Sequence, residues 1–198
     1  MKRIFTILAI TLLGTITMSA QDLWGLAGYL SDKGTFTSGS FSYNKAGGGL
    51  ILGLEYNYEF NNILSFAPEL LGSYMAQQYE ESGIHRQDTN VGLSLPLLFR
   101  AGYNFTDSIR GYVNVGPAVF LGLVSNKKWS VGSLSETEDN YKDNFSRFDV
   151  SPMFGAGLEF MNRFRISVNY SIGLMNTCKV NNCTYKDNTL YILAGFRF

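Results

Sequence analysis

Charged residues are scarce in this chain. They make up 16% of it, against roughly 25% in an ordinary soluble domain. The 16 basic and 16 acidic side chains cancel, so no basic face points to nucleic acid. There are four prolines and two cysteines, and His85 is the sole histidine. A protease built on paired Asp and His residues therefore lacks its second His. Beyond the N-terminus no apolar run approaches the roughly 18 residues of a membrane helix, and no segment has a convincing helical period. If the mature protein lies in a membrane, it lies there as strands. What the chain has in quantity is aromatic or small: 15 Phe, 12 Tyr and 21 Gly.

The N-terminus differs from the rest. Lys2 and Arg3 precede an apolar run over 4–18, followed by the small residues Ser19 and Ala20. That order reads as a secretory signal peptide over 1–20, cleaved between Ala20 and Gln21. The run is short for a membrane span of roughly 20 residues. No cysteine follows it to carry a lipoprotein anchor. Loss of Lys2 and Arg3 leaves 14 basic against 16 acidic residues in 21–198, which read as one barrel domain.

Period-two alternation fills that domain. In "GGLILGLEYNYEFNN", Leu50, Leu52, Leu54, Tyr56, Tyr58 and Phe60 alternate with Ile51, Gly53, Glu55, Asn57 and Glu59, the mark of a strand with two unlike faces. Eight such strands are expected, over roughly 23–31, 49–60, 64–79, 89–105, 109–124, 148–160, 164–176 and 189–198. The first is ambiguous, because Trp24, Leu26 and Leu30 compete with Leu23, Ala27 and Tyr29. Connections alternate in length. Short links at 61–63, 106–108 and 161–163 follow the even strands, and long polar loops at 32–48, 80–88, 125–147 and 177–188 follow the odd ones. An antiparallel up-and-down barrel produces this asymmetry, with short periplasmic turns and long outer loops.

Two features orient the faces. Tyr56, Tyr58, Phe60, Tyr103, Phe105, Phe160 and Phe164 gather where strands meet turns, as at a lipid–water interface. The opposite faces carry Gly, Ser and Asn with Glu55, Glu59, Glu69, Asp149 and Glu159 against Arg100, Arg110, Arg165 and Arg197. An eight-stranded barrel is just wide enough for side chains to fill, and charges inside it must be paired. The leucines therefore face lipid and these charges form a lumen network. A soluble sandwich, with the charges on its wet face, is the competing architecture.

The sequence resembles a known family, the outer-membrane β-barrel domain of the porin-like (PorT-like) group. "LSLPLLFRAGYNF" is similar to a strand commonly reading Leu-x-(Ile/Leu)-Pro-Leu-Leu with a basic residue soon after. "GYVNVGPAVFLGL" resembles its Gly-Pro partner, "ISVNYSIGLMN" the penultimate strand, and "LYILAGFRF" the last. The resemblance covers nearly all of the mature chain. It implies a small Gram-negative outer-membrane barrel whose terminal aromatic, Phe198, suits recognition by the barrel-insertion machinery. It implies little about activity.

Candidate sites are few. His85 lies in a polar loop with Glu81 and Ser82 near in sequence, so a catalytic triad has little support and no catalytic residue is assigned. Cys178 and Cys183 flank a tight "KVNN" turn; an oxidising compartment favours a disulfide, with free thiols or half a metal site as alternatives. Metal ligation would need further donors, and none is assigned. The acidic "ETEDNYKDN" does not match an EF-hand loop. Trp129 with Lys127 and Lys128 suits either lipopolysaccharide phosphates or the outer interface. The expected protein is an all-β, eight-stranded antiparallel up-and-down transmembrane β-barrel in the outer membrane. It has a filled polar interior, both mature termini periplasmic, long loops extracellular and no cofactor. Its expected partners are lipid, lipopolysaccharide, the insertion machinery and a surface ligand or protein. The alternatives are a narrow porin-like channel and, behind it, a lipid-modifying enzyme.

Overall fold

The computed structural model describes residues 23–39, 41–81, 84–131, 134–180 and 182–198; the signal-peptide expectation for 1–20 lies outside them. Among these residues the strands are β1 (Leu23–Ser38), β2 (Phe41–Tyr56), β3 (Tyr58–Glu59), β4 (Leu64–Glu81), β5 (Ile84–Thr106) and β6 (Ile109–Val131). They continue as β7 (Leu134–Asp139), β8 (Phe148–Phe160), β9 (Phe164–Ile172) and β10 (Cys183–Arg197), with one helical turn, α1 (Asn140–Asp143), before β8. All pairings are antiparallel. β1 pairs with both β2 and β10, and β2 pairs with β4, so the sheet closes into a ring. Eight staves form it. β3 prolongs β2 beyond Asn57, and β7 pairs only with the far end of β6. Among the described residues each of the eight staves has a partner on both sides, and the open edge of β7 lies at the far end of β6. A closed ring is the condition for crossing hydrocarbon as a sheet.

The ring has a turn end and a hairpin end. Tight links close the turn end. Asn61 Oδ1 accepts the backbone N–H groups of Ile63 and Leu64, both at 2.8 Å. Met161 and Asn162 have φ of 53° and 52°, the left-handed pair that a type I′ turn requires. Both ends of the described chain meet here, since the Phe198 N–H donates to Leu23 O at 3.1 Å. At the other end, the segments expected as loops are largely strand. β1 and β2 stay in register out to Ser38↔Phe41, and β4 and β5 to Glu81↔Ile84. Beyond the apolar band polar residues such as Asp32, Lys33 and Thr35 are mixed with single aromatics such as Phe36, so no sustained hydrophobic alternation marks these segments. Their ladders continue because each backbone group still needs a partner.

The barrel wears its large apolar residues outside. Leu50 is 67% exposed, Leu52 65% and Val113 60%, whereas Arg100 is 3% and Glu55 1% exposed. The first strand resolves the other way from a lipid-facing tryptophan: Trp24, Leu26 and Leu30 are buried inside. The expectation of a polar interior needs correcting here. Between the charged turn end and the polar hairpin end lies an apolar layer that includes Leu26, Ile51, Leu71, Leu98, Met153 and Leu193. A lumen of this width has no room for bulk water, so its middle packs as an ordinary core.

Candidate functional site

At the turn end, β2, β5, β8 and β9 each send one long side chain inward to a common point. Arg100 grips Glu55 with both nitrogens, Nη1 to Oε1 at 3.1 Å and Nη2 to Oε2 at 2.9 Å. Arg165 Nη1 donates to Glu55 at 2.6 Å and its Nη2 to Glu159 at 2.7 Å. Glu159 also lies 3.8 Å from Arg100 Nη1. Two cations and two anions thus neutralise one another out of water, as buried charges must. The guanidinium planes are faced with aromatic rings: Arg165 over Trp24 at 3.8 Å, and Arg100 over Tyr112 at 4.1 Å. Glu69 stands directly across from Glu55 in the β2–β4 register and is buried with it.

The remaining charges grouped with these in the sequence lie elsewhere. Arg110 pairs with Glu59 at 2.8 Å on the rim, where Glu59 is partly exposed. Arg197 lies by Trp24, 6.0 Å from ring centre to guanidinium. Asp149 sits at the opposite end of β8 from Glu159, beyond the apolar layer. Same-face parity places all of them inward or at the rim but says nothing about height along the strand. Trp24 and Tyr112, the aromatic faces of the cluster, are missing from the sequence-based site. Their signal was parity with Leu26 and Asn114 respectively.

The hairpin end opens into a cavity of about 330 Å³, with a smaller space of about 70 Å³ beneath it. Asp32, Met75, Asn90, Phe120, Asp149 and Asp187 line both. Lys45 and Asp88 form an ion pair in the wall. Asp32 Oδ1 accepts from Thr189 Oγ1 at 2.9 Å. Its Oδ2, like Oδ1 of Asp88, is buried and has no hydrogen-bond partner among the described residues. The outward face of β1 turns polar at Ser31 and Lys33, and that of β10 at Asn188 and Lys186, so Asp32 and Asp187 stand above the apolar band. Burial, with Asp187 nearby, pushes the Asp32 carboxyl up to about 7. Burial, with Asp149 nearby, pushes Asp187 up to about 6.

Glycines make the cup's walls. Side-chain carbons at Gly34, Gly92 and Gly122 would run into the rings of Tyr185, Phe120 and Tyr141, so those rings lie flat against bare backbone. Over the mouth, the segment from α1 to β8 is tied to the disulfide loop. Ser146 N–H donates to Thr177 O at 2.7 Å, and Lys179 N–H to Asn144 O at 2.9 Å. Cys178 and Cys183 are bonded. Phe145 meets Tyr185 edge-on at 5.1 Å.

Other sequence candidates are placed differently from expectation. His85 belongs to β5, paired with Glu80 and Ser130, and not to a loop. The side chains of His85 and Trp129, and all of Ser82, lie outside the described residues. Lys127 and Lys128 belong to β6. Among the described residues no group of three or more His, Cys, Asp or Glu side chains is arranged to hold a metal ion.

Solved structures similar to the chain are small outer-membrane proteins. Ail, the attachment invasion locus protein of Yersinia pestis, is 19% identical, with 90% of this chain and 99% of that one covered at a TM-score of 0.45. The outer membrane enzyme PagL is 16% identical, with 85% and 99% covered at a TM-score of 0.47. OprG from Pseudomonas aeruginosa is 12% identical, with 89% and 95% covered at a TM-score of 0.44. No curated protein matches the chain in sequence. The family model described as outer membrane protein beta-barrel domain matches residues 19–179, most of the closed ring. The chain belongs to that outer-membrane β-barrel family.

Proposed function

We propose that the protein is a closed surface barrel that binds a ligand or partner at its hairpin end and does not conduct. One observation carries this: the lumen is filled by the Glu55–Arg100–Arg165–Glu159 cluster and the apolar layer above it, while the hairpin end is hollow. In this reading 1–20 is a signal peptide, the turn end and both mature termini are periplasmic, and the hairpins are extracellular. The exposed rings of Tyr58, Phe60, Tyr103, Phe105, Phe164 and Phe198 support a periplasmic girdle, with Tyr56 and Phe160 half-exposed beside them. Aromatic girdles flank the apolar band of such barrels, and the Tyr58 and Tyr103 hydroxyls suit the headgroup level. Tyr29, Tyr74 and Phe148, exposed at the other margin of the band, support a second girdle next to lipopolysaccharide.

The test is conductance. The refolded full-length protein in planar bilayers is expected to give no steady single-channel steps, and regular steps would sink the closed-barrel proposal. The barrel is also read as non-catalytic. Incubated with lipopolysaccharide, the protein is expected to leave its acyl chains intact. A lipid-modifying activity that disappears in His85→Ala would overturn that.

A further inference from the structure

The cup at the hairpin end combines features that select a ligand class. Its wall carries four carboxylates, Asp32, Asp88, Asp149 and Asp187, against the two ammonium groups of Lys45 and Lys127. Lys45 is engaged with Asp88. Asp32 is only 4% and Asp88 2% exposed, and each keeps one carboxylate oxygen unpartnered. Desolvating an anionic oxygen without a donor is costly, so the site is incomplete until a donor arrives. Phe36, Phe120, Phe145, Tyr141 and Tyr185 add aromatic surface to the wall, among Ser, Asn and Thr side chains. At about 330 Å³ the cavity falls in the range of small-molecule sites, about 300–1,000 Å³. The carboxylates are spread over β1, β5, β8 and β10 and are not grouped as metal ligands.

We propose that the cup binds a small organic cation, an ammonium group on an apolar or aromatic body, with the ammonium set between Asp32 and Asp187 and the body against Phe120 and Tyr185. The assignment names the ligand class of the binding barrel proposed above and presupposes its closed lumen. An ammonium offers three donors to the unpartnered oxygen and its neighbours, and aromatic faces attract a desolvated cation. Proton and ligand compete for the same carboxylates. The charged groups facing Asp32 are Asp187 from β10, Asp149 from β8, Lys45 from β2, and Asp88 with Lys127 across the cavity; the Tyr191 hydroxyl is the neutral neighbour. With Asp32 and Asp187 raised by burial to about 7 and about 6, affinity rises as pH climbs through that interval and falls below it.

The experiment is calorimetric titration of the full-length protein in non-ionic detergent with phenethylammonium, 2-phenylethanol, phenylacetate and calcium. Phenethylammonium is expected to bind saturably, about tenfold or more tighter than 2-phenylethanol, a gap of about 1.4 kcal/mol, with no binding of phenylacetate. Asp32→Asn and Asp187→Asn should each weaken it about fivefold or more, while Glu59→Gln on the opposite rim leaves it unchanged. Heat-shifted gel mobility confirms that each variant is folded, and the wild-type ligand series tests the class without any variant. Equal binding of alcohol and amine overturns the proposal, as do heat that persists in the double Asn variant and displacement of the amine by calcium at comparable concentration. Conductance without amine binding would sink the closed barrel as well; absence of amine binding in a non-conducting barrel sinks this assignment alone.

Discussion

Single residues in this barrel matter according to their height and face. Glu55 is the pivot of the buried cluster, because both Arg100 and Arg165 rest on it. Replacing it with Gln leaves two guanidinium groups facing one full carboxylate partner, Glu159. Breaking a buried pair costs about 3–5 kcal/mol, and Glu55→Gln should lower stability to urea in lipid vesicles by that order. Double replacement of Glu55 and Arg100 by Gln and Met should cost less than the sum of the single changes, as for groups in contact. Simple additivity would show that the two act independently. Alternation made the outward leucines legible in the sequence. It could not separate Glu55 and Arg165 from Arg110 and Asp149, since all share an inward parity and only the tilt of the strands sets their heights. Trp24 was ambiguous for a related reason: a small lumen accepts apolar side chains, so both faces of β1 read as apolar.

At the scale of elements, the strands run past the membrane and build the cup. Their far ends read as loops because polar residues face both the solvent and the cup, and no pattern of contrast survives. The carboxylates of the cup were equally hidden, being spread from position 32 to position 187 and brought together only by ring closure. The three glycines beneath Tyr185, Phe120 and Tyr141 give this scale a direct test. Gly122→Leu should push the Tyr141 ring into the cavity and weaken cation binding about tenfold without abolishing the heat-shifted mobility of the barrel. Unchanged affinity would show that the ring can move aside. The Cys178–Cys183 bond closes a loop with a sequence separation of 5. Such short closure stabilises the loop by about 2 kcal/mol in the chain-entropy picture. Reducing it, or changing both residues to Ser, should raise hydrogen exchange at Thr177, Lys179 and Asn144 while leaving β9 protected. Faster exchange throughout the ring would mean that the bond supports the whole fold.

For the molecule as a whole, the outward apolar band fixes where it resides. An arginine at Leu52, mid-band and 65% exposed, should cost about 2–4 kcal/mol of stability in a bilayer. Arginine at Thr89, which faces outward near the polar margin of β5, should cost far less. Equal costs would mean that hydrocarbon does not surround the ring.

The solid middle of the barrel gives it a single mouth. A molecule that enters between the hairpins meets a floor of Leu30, Met75 and Tyr191 and must leave by the way it came. In the binding role proposed above, such a well would hold and release a guest and not carry it inward, and the way in and out would pass Phe145 and the disulfide loop.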